Sequence, residues 1–487
     1  GKTTGLLIGA SVWGKGSEND PESYMQKWRA TSSGLEYQAE QHNACTMFLD
    51  ELGQMAKEED AFWETGQVSG TMYCGDHSHY DFLTKAFGLF AHVNALQRDM
   101  CPSMTKFEGE IIAMALDLFH ADAVADAEPV GLVTSGGTGS ISHAVLAYRD
   151  HARQTRGITQ PNFVKPETGH PAFDKACHLF GVELRVATVD PVTTRVNLDS
   201  VAELIDENTI AILGSAGNYP YGTIDDIEAL SDLALERGVG LHVDGCLGGF
   251  ILPFGQELGV EGIPVFDFRL PGVTTISADT HKYGYSVKGT SVCLFRDKAI
   301  RNSQYFFRTD WTGGKYCSPG MDGSRSGGLL AATWASMVSL GRDGYLRYAQ
   351  MIFDAAAEMK AAIVSHPELR LMGDPTFVLS FTSDDFDIYL VNDFMRLRGW
   401  RFNGQQYPNA IHLAVTRPQT LPGVTETFAN DLAEAIAYAK DASAKGEAAA
   451  SGAIYGGVAG GMTDEADDFI KMVMSDMMDT QQSLPPG

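Results

Sequence analysis

Apolar residues recur at spacings of three and four over 104–120, where Met104, Phe107, Ile111, Ile112, Ala115, Leu116 and Phe119 share one face. That period predicts a helix with one buried side. From about residue 130 the pattern changes. Short apolar runs at Val130 to Thr134, Phe163-Val164, Val182 to Val186, Ile210 to Gly214 and Gly240 to Val243 alternate with helical stretches. Those stretches are Ser140 to Arg149, Pro171 to Phe180, Val201 to Asp206 and Ile224 to Arg237. Repeated strand-then-helix order predicts an α/β fold, a mainly parallel sheet covered on both faces. Later come a helix over Tyr345 to Ser365, strands at Thr376 to Phe381 and Ala410 to Val415, and a helix over Thr425 to Lys445. These predict a smaller α+β lobe. The domain reading is therefore a helical segment over 1–90, a large domain over 91–335 and a small domain over 336–487. Near the end, Thr463-Asp464-Glu465 caps a short helix whose Phe469, Met472 and Val473 form a packing face. The final Gln-Gln-Ser-Leu-Pro-Pro-Gly reads as disordered.

Composition narrows the class. At 487 residues the chain exceeds a single core, which agrees with two lobes. A net charge of −26, from 62 acidic and 36 basic residues, argues against nucleic-acid binding and against an anionic membrane surface. The seven cysteines are odd in number and scattered, with no C-x-x-C, which suggests reduced thiols rather than disulfides or a zinc site. No apolar run is long enough to span a bilayer, and no secretory signal is evident in a chain that starts without Met. A soluble cytoplasmic enzyme is the expectation.

Candidate chemistry lies at strand ends and glycine turns. Ser277 to Gly289 follows the β-branched run Val273 to Ile276 and contains His281, Lys282 and Lys288. A lysine at such a place suits a Schiff base to an aldehyde cofactor, and a solvated loop lysine is the plainer alternative. Ser135-Gly136-Gly137-Thr138-Gly139-Ser140 sits between a strand and a helix, where backbone N–H groups and the helix start favour an anion such as a phosphate; a simple glycine turn is the alternative. Asp244, in His242 to Gly249, ends a strand and needs a cationic partner, such as a pyridinium nitrogen, unless it caps a helix. His170 could cap the helix that follows it or lie flat on an aromatic cofactor. Asp76-His77-Ser78-His79 looks metal-like but has no third ligand, so the start of a helix is the better reading and no metal is expected.

Taken in order, glycine loop, histidine, strand-end aspartate and lysine resemble the fold-type-I pyridoxal-5′-phosphate enzymes. Within them the chain is most similar to the group II decarboxylase and sphingosine-1-phosphate lyase branch, over roughly residues 35–460. Ser69 to Gly75, Thr134 to Ile141, His170 to Ala176, His242 to Phe250, Ser277 to Gly289, Thr309 to Gly314 and Gly323 to Gly328 carry the likeness. Lys288 marks the lyase side of that branch. The resemblance implies a Schiff base at Lys282, Asp244 on the pyridine nitrogen and His170 on the ring. It implies that Gly137, Thr138 and His281 hold the cofactor phosphate, with Ser324 reaching it from a neighbouring subunit. Tyr73 and Lys288 would lie near the substrate phosphate and the reacting centre. The implied enzyme is a homodimeric carbon–carbon lyase of phosphorylated 2-amino-3-hydroxy compounds. An amino-acid decarboxylase and a catalytically silent binding subunit stand as alternatives. Departures from the lyase pattern cluster near the site. Gln97 stands where His is usual and cannot become cationic, Gly139 replaces Glu, Gly245 replaces Ala, Gly217-Asn218 replaces a proline turn, and Ser326 replaces Pro.

Overall fold

The computed structural model describes residues 63–452, 456–457 and 462–482. Most of the helical segment expected over 1–90 lies outside the described residues. Its described part contains helix α1 (His77–Phe90), whose first N–H groups at Ser78 and His79 are capped by Asp76 at 2.9 and 3.4 Å. Asp76-His77-Ser78-His79 is thus a helix start, and His79 spends Nε2 on the Tyr285 carbonyl at 2.9 Å. Helix α2 (Pro102–Leu118) buries Met104, Ile111, Ile112 and Ala115, the face marked by the apolar repeat. It opens on Pro102, where a missing N–H costs no helical bond.

The alternating region folds as β1 (Val130–Thr134), α3 (Gly137–Arg156), β2 (Asn162–Pro166), α4 (Ala172–Phe180), β3 (Glu183–Ala187) and α5 (Leu198–Leu204). It continues through β4 (Thr209–Ser215), α6 (Ile227–Arg237), β5 (Gly240–Asp244), α7 (Leu252–Glu257), β6 (Val273–Ala278), β7 (Ser291–Phe295) and α8 (Lys298–Ser303). Seven strands form one sheet in the order β1-β7-β6-β5-β4-β2-β3. Strands β6, β5, β4, β2 and β3 are mutually parallel, as the alternation predicts. Strand β7 was not anticipated and runs antiparallel to both β1 and β6. Its five-residue apolar run carries no period that separates strand from helix. Strands β2, β4, β5 and β7 have nearly every residue buried, which explains why they read as continuous apolar runs. Ser215, Asp244 and Ser277 are successive register partners, so β4, β5 and β6 end in line. Ligand chemistry in open parallel sheets gathers at such carboxyl ends.

A hairpin of β8 (Phe306–Trp311) and β9 (Gly314–Ser318) precedes helix α9 (Gly327–Val364), which runs across the boundary expected at 335–336. Gly341, at φ 58° and ψ 179°, breaks its helical path. The replaced proline is explained here, because Ser326 caps α9 and accepts from the N–H of Leu329. Strands β10 (Arg370–Leu371) and β11 (Val378–Thr382), helix α10 (Ile388–Leu397), strands β12 (Asn403–Gln405) and β13 (Ala410–Ala414), and helix α11 (Val424–Ala444) follow. The four strands make an antiparallel sheet in the order β10-β11-β13-β12. Residues 63–456 form one compact unit. In the other unit, helix α12 (Asp464–Gln482) is capped by Thr463 and is longer than expected. Phe469 and Met472 are exposed rather than packed.

Candidate active site

Strand β6 ends at Ala278, and a tight turn then presents Lys282. The N–H of Lys282 donates to the Asp279 carbonyl at 3.2 Å, and that of Ser286 to the Thr280 carbonyl at 3.0 Å. A Cβ on Gly284 would stand 2.4 Å from the Thr280 oxygen, so the turn closes only with glycine. Lys282 Nζ lies 2.9 Å from Asp279 Oδ2. Burial opposes the Lys282 ammonium, but Asp279 outweighs it, with Cys246 and Tyr73 adding to the effect, and the net shift is upward. Asp279 is 2% exposed, and its Oδ1 has no hydrogen-bond partner among the described residues. It had no assigned role in the sequence reading, although it lies three residues before the lysine.

Tyr73 arrives from a loop stitched to the small antiparallel sheet. Gly70 N–H donates to the Ala414 carbonyl, Arg417 N–H to the Tyr73 carbonyl, and the Thr416 hydroxyl to the Met72 carbonyl. Burial pushes the Tyr73 phenol up to about 12, against the pull of Lys282. Lys288 Nζ lies 4.7 Å from the centre of the Tyr73 ring, a cation–π contact. Loss of hydration, followed by repulsion from Lys282, lowers the Lys288 ammonium to about 8. His170 accepts from the Ala172 N–H on Nδ1, so it does cap the start of α4. It also stands near Asp244 and Lys282, and burial keeps its ring neutral to lower pH than usual. Asp244 Oδ1 accepts from the Cys246 N–H at 3.0 Å and the Ser277 hydroxyl at 3.2 Å.

The start of α3 closes the other side. A Cβ on Gly137 would meet both Asp279 carboxylate oxygens at 2.8 Å and Cys246 Sγ at 3.1 Å, so glycine lets helix start and strand end touch. First-turn N–H groups of a helix have no helical acceptors and favour an anion. The His281 ring sits against Gly136, with Nδ1 donating to the Thr290 carbonyl at 2.5 Å. Five candidates therefore gather: Tyr73, His170, Asp244, Lys282 and Lys288. Gly137, Thr138 and His281 border them. Ser324 is held elsewhere, its hydroxyl accepting from Asn94 Nδ2 at 2.9 Å in the same chain. Tyr219, which the sequence reading missed, stands edge-on to His170 and His412 at 6.3 and 4.8 Å. Its place two residues past the glycine of a strand-end turn was the signal available.

The pyridoxal-dependent decarboxylase conserved domain matches residues 36–381, and a domain of unknown function matches 1–68. The sphingosine-1-phosphate lyase of Dictyostelium discoideum is 40% identical over 432 residues, covering 88% of this chain and 79% of that protein. The chain belongs to the sphingosine-1-phosphate lyase branch of the pyridoxal-dependent decarboxylase family. The Arabidopsis thaliana lyase of this branch is 42% identical, covering 79% of this chain and 71% of that protein. The solved structure of the Burkholderia pseudomallei sphingosine-1-phosphate lyase is 57% identical with a TM-score of 0.81, covering 83% of this chain and 93% of that one. Lactobacillus brevis glutamate decarboxylase, 21% identical with a TM-score of 0.69, shares the fold over 82% of this chain and 94% of that one.

The residues present fit the family's cofactor, pyridoxal 5′-phosphate. A primary amine, a buried strand-end carboxylate and a glycine-started helix suit its aldehyde, ring nitrogen and phosphate in turn. In the neutral ring, His281 Nε2 is a lone pair, so donating to a phosphate there requires His281 to take up a proton.

Proposed function

We propose that the protein cleaves the C2–C3 bond of a sphingoid base phosphate, or a similar phosphorylated 2-amino-3-hydroxy compound, to an aldehyde and phosphoethanolamine. The observation that carries this is the pairing of Lys282 with a second cation, Lys288, over the ring of a buried phenol. Such a site has an amine for the cofactor and a separate charge for a substrate phosphate. Likeness to lyases over most of the chain supports the same choice over loss of CO2.

Bound pyridoxal phosphate supplies an electron sink for the breaking bond. Lys282 would hold its aldehyde, and the α3 start, with Gly137, Thr138 and His281, would hold its phosphate. Asp244 would pair with the ring nitrogen, and His170 would cover the ring. Tyr73 keeps its proton through neutral pH because burial raises it to about 12, so it enters the reaction as a hydroxyl donor. Lys282, Tyr73 and Lys288 are the groups that can carry a proton at the reacting centre.

The protein acts as a homodimer in this reading. Phe306, Phe307 and Trp311 on the β8–β9 hairpin are all more than half exposed, an apolar surface suited to a second copy. The partner's Ser324 loop would then complete the phosphate site. A reducing cytoplasm suits the free thiols of Cys74, Cys177, Cys246 and Cys293, all buried.

A substrate panel tests the reading. Amino alcohol phosphates and amino acids are incubated with the yellow holoenzyme and scored for aldehyde and for CO2. Aldehyde with phosphoethanolamine is expected, and CO2 without aldehyde overturns the proposal.

A pH profile isolates Lys288. The free enzyme needs it as a cation, so kcat/KM should fall as pH rises through about 8. Lys288→Arg should move that limb upward, and Lys288→Met should remove it while raising KM. Stability runs the other way. A lysine whose folded value lies below its unfolded one costs stability below about pH 8, and the cost fades as pH rises to the ordinary lysine range. Lys288→Met should therefore melt higher than the native protein at neutral pH.

A further inference from the structure

Asp244 is not held by its own loop alone. His242, two residues earlier on β5, is fully buried and points both ring nitrogens at β6. Its Nε2 lies 3.0 Å from the Ser277 hydroxyl, and its Nδ1 lies 2.7 Å from the Thr275 hydroxyl. Thr275 in turn meets the Tyr148 hydroxyl of α3 at 2.7 Å. Ser277 closes the chain on Asp244 Oδ1 at 3.2 Å.

The carboxylate sets the direction of every proton in this chain. A carboxylate only accepts, so the single hydroxyl proton of Ser277 goes to Asp244. Ser277 must then accept from His242, which fixes the tautomer with hydrogen on Nε2. Nδ1 is left as an acceptor, so Thr275 donates to it and Tyr148 donates to Thr275. Burial lowers His242 to about 4, so the ring is neutral and keeps one donor and one acceptor. Cys246 adds a weak donation from Sγ to the Ser277 oxygen at 3.3 Å. Bonds that all point one way polarise one another, and a satisfied buried network holds its members in one geometry.

We propose that His242 is a positioning residue for the cofactor ring. Acting through Ser277, it holds the Asp244 carboxylate in one orientation, so that its remaining oxygen faces the ring nitrogen. This rests on the reading above that Asp244 meets that nitrogen. Without the Ser277 donation, the buried carboxylate loses one of its two donors and the contact that fixes its rotamer.

The test compares two probes on the full chain: pyridoxal phosphate, and its 1-deaza analogue, in which carbon replaces the ring nitrogen. The ratio of their dissociation constants reads the Asp244–nitrogen contact alone, because phosphate and aldehyde contacts are common to both. Ser277→Ala and His242→Leu should each lower the native preference for pyridoxal phosphate by about threefold or more, a coupling of the usual size for one network. His242→Gln keeps one donor and one acceptor and should restore it. If His242→Leu fails to fold, Ser277→Ala alone carries the test. A preference that is unchanged or raised in Ser277→Ala, or equal weakening of both probes, overturns the proposal. Asp244→Asn separates the two readings. If it abolishes the preference while Ser277→Ala does not, the His242 inference fails alone. If Asp244→Asn leaves the preference intact, the placement of Asp244 on the nitrogen fails as well.

Discussion

Lys282→Ala abolishes aldehyde release, with an expected loss of about 10⁴-fold or more in kcat, as for other residues that act as one unit with the chemistry. The structure adds a second consequence that the motif alone does not reveal. Alanine leaves Asp279, 2% exposed, without the ammonium 2.9 Å away. Removing one partner of a buried pair is costly because the other charge stays behind. Lys282→Ala should therefore also lower the melting temperature. Lys282→Arg separates the two effects, since it keeps a cation beside Asp279 but has no primary amine to join the cofactor. Expected results are inactivity in both variants, with near-native melting only in the arginine variant. Borohydride should fix the cofactor to the native peptide carrying Lys282 and to neither variant. Turnover by Lys282→Arg at a native rate would refute the Schiff-base role.

Glu108→Ala should cost about 3–5 kcal/mol of stability, the usual penalty for stranding a buried charge. Glu108 binds both Arg325 guanidinium nitrogens, at 2.7 and 2.9 Å, and accepts from the Val133 N–H at 3.2 Å. Arg325 also donates to the Val133 carbonyl, and its N–H donates to Asn94 Oδ1. One carboxylate on α2 thus joins β1 to the loop that carries Ser324. Burial opposes the Glu108 charge, but Arg325 outweighs it, and the group sits below its ordinary value. Its contribution should be present at neutral pH and fade as pH falls through that lowered value. A thermal melt of Glu108→Ala should drop by several degrees, and adding Arg325→Met should recover much of the loss. No change in melting would show that the pair is replaceable by water.

Local pattern carried much of the fold because a strand or helix is recorded in a few neighbouring residues. The alternation from Val130 to Val243 places β1 to β5 within a residue or two of their bounds. Elements whose pattern is short or resolved only by contact were missed: α7, β7, α8, β8, β9, β10, α10 and β12. Strand β7 shows the limit. Its place between β1 and β6 depends on register partners such as Thr134 and Ser291, which no local period links. Among the candidate site residues, Lys282, Asp244 and His170 were legible because each lies at a strand end or in the turn that follows one. Tyr219, Asp279 and His242 were not, because nothing local separates them from turn and core residues.

Sequence alone determined the strand–helix alternation from Val130 to Val243 and the cofactor class, and it singled out Lys282 as the candidate to hold that cofactor. Those are properties of short motifs and periods. Only the tertiary structure decided the company that lysine keeps. Tyr73 meets Lys288 because the small sheet stitches its loop into place. Asp279 raises Lys282, and loss of hydration lowers Lys288, because burial and through-space charge depend on segments far apart in the chain. His242 reaches Asp244 only across two paired strands, through a hydroxyl whose neighbours are set by register. Hydration and distance are properties of the folded chain, and no local pattern encodes them.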